Sequence, residues 1–171
     1  MKLLSCVLLW GGMLWCVFQF MKIESPPPLS NEALIFQFEQ MKILTRNSWK
    51  KESVIEGVQI YTAHSGDKFF PHQWSMGFNE ISVISQFNTD NAALGSFFAL
   101  NECFNLVDVM TNSNKKQNHT AVTEVLNLAM ADKDGDGFYQ GKIRIGGQTF
   151  SLTVFYVTKM VMSFSCAMKV R

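Results

Sequence analysis

No charged side chain occurs between Leu3 and Phe20, and this gap says most about where the chain resides. Read as a helix, the run spans roughly 27 Å, close to the hydrocarbon thickness of a bilayer. Small residues are missing where a signal peptidase would need them, because Phe18, Gln19, Phe20, Met21, Lys22 and Ile23 offer no A-x-A-like pair. A lipoprotein-type site is missing too: Leu14 and Trp15 before Cys16 are too bulky, and Cys6 has no apolar region ahead of it. The expectation is an uncleaved membrane anchor over residues 1–24. Lys2 before the run, against Glu24, Glu32 and Glu39 alongside Lys22 after it, keeps the N-terminus cytoplasmic and places the remainder of the chain outside. On this reading no cytoplasmic effector domain belongs to the chain, and a signal sent inward travels through a partner.

Other scarcities narrow the field further. Formal net charge is +1 and the basic residues are scattered, with no basic patch interleaved with aromatics, which argues against direct nucleic-acid binding. There is no G-x-S-x-G, no H-E-x-x-H and no glycine-rich phosphate loop, and Cys103 has no histidine partner in the sequence, so no enzyme is expected. His64, His72 and His119 share no metal-ligand spacing; as exported histidines they could at most sense acid. Of the four cysteines, only Cys103 and Cys166 lie beyond the anchor. In an oxidising compartment such a pair reads as one disulfide closing a long loop, with two buried free thiols as the alternative. Three of the four prolines stand together as Pro26, Pro27 and Pro28, a stiff linker over residues 25–29.

The remaining stretch, residues 30–171, suffices for one extracytoplasmic domain, and 15 Phe and 10 Met in the chain give it apolar content for a core. Ser30 can cap a first helix running through Leu34, Phe38 and Met41 to near Arg46 and Asn47, with Leu29 stapling onto Leu34. Val54 to Thr62 reads as one strand with Gly57 as a bulge, and Phe69 to Trp74 as a short edge strand or loop. A strand through Ile81, Val83 and Phe87 precedes a helix capped by Asp90, with the stripe Ala93, Phe97, Leu100, Phe104 and Val107. Asn112 to Asn118 reads as a polar loop and His119 to Ala131 as a helix. Gly146 and Gly147 mark a hairpin between alternating runs, and the even-numbered pattern continues through Met160 to Val170 after a bend at Thr158 and Lys159. The order predicts an α+β domain with helices packed on an antiparallel β-sheet.

Asp132, Lys133, Asp134, Gly135, Asp136, Gly137, Phe138 matches the first half of an EF-hand loop. The carboxylates of Asp132, Asp134 and Asp136 and the carbonyl of Phe138 would surround Ca²⁺. Ile143 stands where the bidentate glutamate belongs, so calcium would bind weakly, on the order of 10⁻⁴ to 10⁻³ M, and a charged turn is the plain alternative. Asn118, His119, Thr120 is a glycosylation sequon if the source is eukaryotic.

Trp49 and Trp74 each precede a strand-like run, and Asn79, Ile81 and Val83 alternate like a barrel strand. With the anchor and the run Glu39, Gln40 through Leu44, Thr45 to Trp49, the region Glu39 to Phe87 resembles the ToxS family of bacterial inner-membrane proteins, VtrC-like proteins included. The resemblance implies a lipocalin-like, partly closed barrel in the periplasm. It also implies a heteromer with a ToxR-like, bitopic membrane-bound transcription regulator, of the kind that controls virulence genes. The expected function is an inner-membrane accessory or sensory subunit with no certain cofactor, one that could also take a small apolar ligand. A periplasmic immunity or inhibitor protein and a calcium-dependent PAS-like sensor are the competing readings.

Overall fold

Three two-residue turns with positive φ at both positions set the sheet. Glu56 and Gly57 (φ 50° and 79°), Phe78 and Asn79 (49° and 57°) and Gly146 and Gly147 (57° and 80°) adopt the backbone whose twist matches flanking strands. A computed structural model describes residues 30–66, 68–111, 114–131 and 137–169. The expected anchor, the linker and Leu29 lie outside the described residues. Among the described helices, none is long and apolar enough to cross a membrane.

In chain order the elements are α1 (Asn31–Gln40), β1 (Lys50–Ile55), β2 (Val58–Gly66), β3 (Pro71–Gly77), β4 (Glu80–Asn88), α2 (Ala92–Thr111), α3 (Lys115–Ala131), β5 (Phe138–Ile145), β6 (Gln148–Thr158) and β7 (Val161–Lys169). The seven strands form one antiparallel sheet in the order β1-β2-β3-β4-β7-β6-β5. The fold is therefore α+β, as the pattern of elements predicts. It is not the partly closed barrel implied by the resemblance, because closure needs β1 to pair with β5 and both remain sheet edges. The reason lies in the helices. All three described helices pack on one face, so the sheet buries its apolar residues under them instead of rolling around an interior. Phe38 of α1 meets Trp74 of β3 and Trp49 edge-on, with ring centroids 5.0 and 5.3 Å apart. At Gly95, α2 approaches β4 so closely that a Cβ would overlap the Phe87 ring, and at Gly141, β5 approaches α3 so that a Cβ would overlap Val125.

Several boundaries differ from expectation. Ser30 caps α1 by accepting the Ala33 N–H at 3.3 Å, yet the helix stops at Gln40, where Lys42 at φ 58° turns the chain and the Ile43 N–H returns to the Phe38 carbonyl. The stretch expected as one bulged strand is the β1–β2 hairpin, since Gly57 serves the turn. Phe69 to Trp74 is neither edge nor loop throughout, for Pro71 opens β3, which sits between β2 and β4. Ahead of α2, Asn88 caps a 3-10 turn over Thr89–Asn91 by accepting the Asp90 N–H at 2.9 Å. The α2 stripe holds in its later part, where Val107 is buried and Leu100 and Phe104 pack half-buried against the core; in the earlier part Ala93 and Phe97 face outward, and Gly95, Ala99 and Cys103 take the covered side. Small residues let α2 lie close to the sheet, and a pattern of large side chains does not reveal that. Helix α3 begins at Lys115, within the segment expected as a loop. The Gly146–Gly147 hairpin and the alternation Phe150, Leu152, Val154 stand as expected.

Candidate functional site

Of the expected calcium ligands, Asp132, Asp134 and Asp136 lie outside the described residues, and Phe138 opens β5 with an exposed ring. Among the described residues no group of three or more His, Cys, Asp or Glu side chains is arranged to hold a metal. Cys103 of α2 and Cys166 of β7 are joined as a disulfide, with Cα atoms 5.7 Å apart and 63 residues of sequence separation. Closing a loop of that length stabilises by about 4 kcal/mol on the chain-entropy model. Both sulfurs sit in the core, so the pair is a clamp between the helical layer and the centre of the sheet.

Beside this clamp lies a polar cluster that sequence reading did not assemble. β3 alternates His72, Trp74 and Met76 onto the covered face, and β4 sets Ser85 directly opposite His72. The His72 Nδ1 and Ser85 Oγ are 2.7 Å apart, and the His72 Nε2 stands 3.9 Å from Glu102 Oε1 on α2. Burial pushes the Glu102 carboxyl above the usual carboxylate range, while a hydrogen bond donated by Asn105 Nδ2 at 3.1 Å opposes that shift. Serine, histidine and glutamate in one row invite comparison with a nucleophile and its base. Ser85 and His72 are buried, however. The cavity lined by Gly66, Phe70, His72 and Phe98 has about 70 Å³, room for water, while an open cleft of about 280 Å³ also touches His72 beside His64, Pro71, Gln73, Ile84 and Gln86.

A second cluster fastens α2 to α3. Asp108, buried in the apolar run Leu106 to Met110, accepts Asn118 Nδ2 at Oδ1 (2.9 Å) and lies 3.1 Å from His119 Nε2 through Oδ2. The same Asn118 nitrogen lies 2.9 Å from Thr111 Oγ1, and the His119 ring stacks on Phe104 at 4.2 Å. Asn118, 1% exposed and hydrogen-bonded through the nitrogen a glycan would take, is no glycosylation site in the folded domain. His119 also borders a broad depression of about 680 Å³ whose described lining, Lys116, Thr120, Thr123, Glu124 and Asn127 included, comes from α3 alone. Its lone imidazole is already directed by Asp108. The signal for this cluster is an aspartate inside an apolar helical run, where an unpaired charge is costly and a partner is required.

The sheet face away from the helices is different in kind. Ser75 and Ser82 share a hydrogen bond of 2.7 Å across β3 and β4, and Ala167 and Ser151 continue that row across β7 and β6. The next row runs Gln73, Ile84, Ser165 and Thr153. Two open clefts mark this face: about 390 Å³ beside Ile60, Gly77, Phe78, Glu80 and Lys169, and about 280 Å³ beside His64, Gln73, Ile84 and Gln86. Small hydroxyl and amide side chains leave the strands accessible to a close-packing surface. No protein-family model matches the chain, and neither the curated proteins nor the solved structures give a significant match.

Proposed function

We propose that this chain is a membrane-anchored, non-catalytic accessory subunit of the periplasmic side, which binds and stabilises the extracytoplasmic part of a bitopic membrane regulator and so supports control of its target genes. The observation that carries this reading is the seven-stranded sheet whose described helices cover one face only. The other face offers Ser75, Ser82, Ile84, Thr153 and Ser165 without a described element upon it. A buried clamp between Cys103 and Cys166 suits an oxidising compartment. The uncleaved leader and the resemblance to the ToxS family supply the address and the class of partner.

Affinity capture of the full chain from membranes, followed by mass spectrometry, tests it. A single-span regulator is expected, and Ile84→Arg with Ser165→Arg is expected to lose it while leaving thermal unfolding close to the parent's. Deletion of the gene with no change in regulator output sinks the proposal. Capture of a toxin in place of a regulator moves the chain to the immunity class.

A further inference from the structure

The two edges of the sheet are built differently. β1, six residues long, loses register between Lys51 and Val54, and Lys51 stands on the covered face opposite Tyr61, its Nζ 5.9 Å from that ring. A bulge and an inward charge are devices that stop an edge from recruiting another strand. β5 has neither. Its eight residues pair with β6 in unbroken register from Phe138 to Ile145, and toward the helices it presents Tyr139, Gly141, Ile143 and Ile145. Tyr139 and Ile143 are half-buried against the core, so apolar surface remains at this edge. Ile145 and Gln148 flank a two-residue turn as a hydrogen-bonded pair. The alternate residues Phe138, Gln140, Lys142 and Arg144 therefore turn their backbone N–H and C=O groups outward, away from β6.

The sequence of β5 complements its own reverse. With a two-fold axis through Gly141, normal to the sheet, Gln140 of one copy stands opposite Lys142 of a second, Phe138 opposite Arg144, and Tyr139 opposite Ile143. Amide faces ammonium, ring faces guanidinium, and ring faces β-branched side chain, all favourable cross-strand pairs. Moving the axis to Lys142 would instead set two lysines face to face. Both cations are available: the ion pairs among the described residues involve Arg46, His72 and His119, and Arg144 reaches only the Gly147 carbonyl, at 3.4 Å. Helix α3 agrees with this axis. A Cβ on Gly141 would overlap Val125 and come within 3.4 Å of Ala129, so α3 crosses β5 level with that residue. His119 faces Phe104 of α2, and at about 100° per residue Leu128 lies on the opposite flank of α3, toward the free edge, 57% exposed. An axis at Gly141 brings the Leu128 side chains of two copies toward each other.

We infer that β5 is a dimerisation edge, on which a second copy of this chain adds its own β5 antiparallel to form one continuous sheet. The helices of both copies then lie on one side and the uncovered faces on the other, so regulators bound to those faces would be held next to each other. The pairing itself does not depend on that reading of the uncovered face.

The test co-expresses two differently tagged full chains in a Cys6→Ser, Cys16→Ser background, one carrying Gln140→Cys and the other Lys142→Cys. Mild oxidation is expected to join the two tags in a disulfide-linked dimer. No link is expected when the second chain carries Ile55→Cys on β1 instead. Sedimentation of the detergent-extracted chain with its native cysteines then reads the charge. Gln140→Lys sets lysines opposite each other twice per dimer and is expected to weaken dimerisation about 2- to 30-fold, whereas Gln140→Glu strengthens it. Gln140 is exposed, so neither change threatens the fold. A monomer at every concentration, a missing 140–142 link, equal linkage to position 55, or a dimer indifferent to the charge at 140 overturns the proposal.

Discussion

Beneath the helices β3 presents His72, Trp74 and Met76, all buried; on the opposite face the same strand presents Gln73, Ser75 and Gly77, exposed or half-buried. β4 divides in the same way between Ile81, Val83, Ser85 and Phe87 on one side and Ser82, Ile84 and Gln86 on the other. One backbone thus carries two chemistries with a period of two residues. The covered side holds the molecule together, while the uncovered side is free to vary with what it touches. Buried polar groups are partnered at His72 with Ser85 and at Asp108 with Asn118 and His119, whereas the Trp49 Nε1 in the core has no described hydrogen-bond partner.

The sharpest way to break this comparison is to empty the covered side. Trp74→Ala removes the ring on which Phe38 rests, and a loss of about 3–5 kcal/mol in denaturant unfolding is expected. A loss close to zero would mean that the covered face is not the core. Next comes the clamp: replacing Cys103 and Cys166 together by alanine should cost about 4 kcal/mol, the loop-closure value, and make the variant indifferent to reductant.

A smaller effect of opposite sign is expected at Glu102. Its carboxyl is held above the ordinary value of 4.5 by burial, so the folded state keeps the proton more tightly than the unfolded chain does. That contribution to stability is full below 4.5 and is lost as pH rises through the folded value. Glu102→Gln should therefore raise Tm relative to the parent at neutral pH, with the difference closing as pH falls toward 4.5. A difference that is the same at both pH values would show that the carboxyl is not strained by burial. Smallest of all, Thr153→Ala on the uncovered face should change stability by no more than about 0.5 kcal/mol. A larger loss would reveal that something in the full chain covers this surface.

The C-terminal half was legible because its signals are local: Gly146–Gly147 is a strong hairpin dipeptide, and Phe150, Leu152 and Val154 alternate cleanly. The turns Glu56–Gly57 and Phe78–Asn79 adopt the same backbone with weaker sequence cues, so the sequence does not separate β1 from β2, nor tell an edge strand from an inner one at β3. Cys103 and Cys166 could be paired by elimination, since Cys6 and Cys16 both fall in the uncharged run that ends at Phe20. The barrel could not be corrected from sequence, because whether β1 meets β5 depends on where the helices lie. His72 and Asp108 escaped for a related reason. Each acquires its partner through register or helix packing: Ser85 is 13 residues from His72 in sequence, and His119 is 11 from Asp108.

The middle of the sheet is filled by β7, the last described strand in the sequence, which slides between β4 and β6. A chain synthesised from its N-terminus must hold both of those strands with bare amide and carbonyl seams until Val161–Lys169 arrives. Cys103 waits as a thiol for the same stretch, so zipping of the central seam and sulfur oxidation fall at the same moment of biogenesis. The exposed stage of folding therefore lies late, at β4 and β6, and not at the first helix.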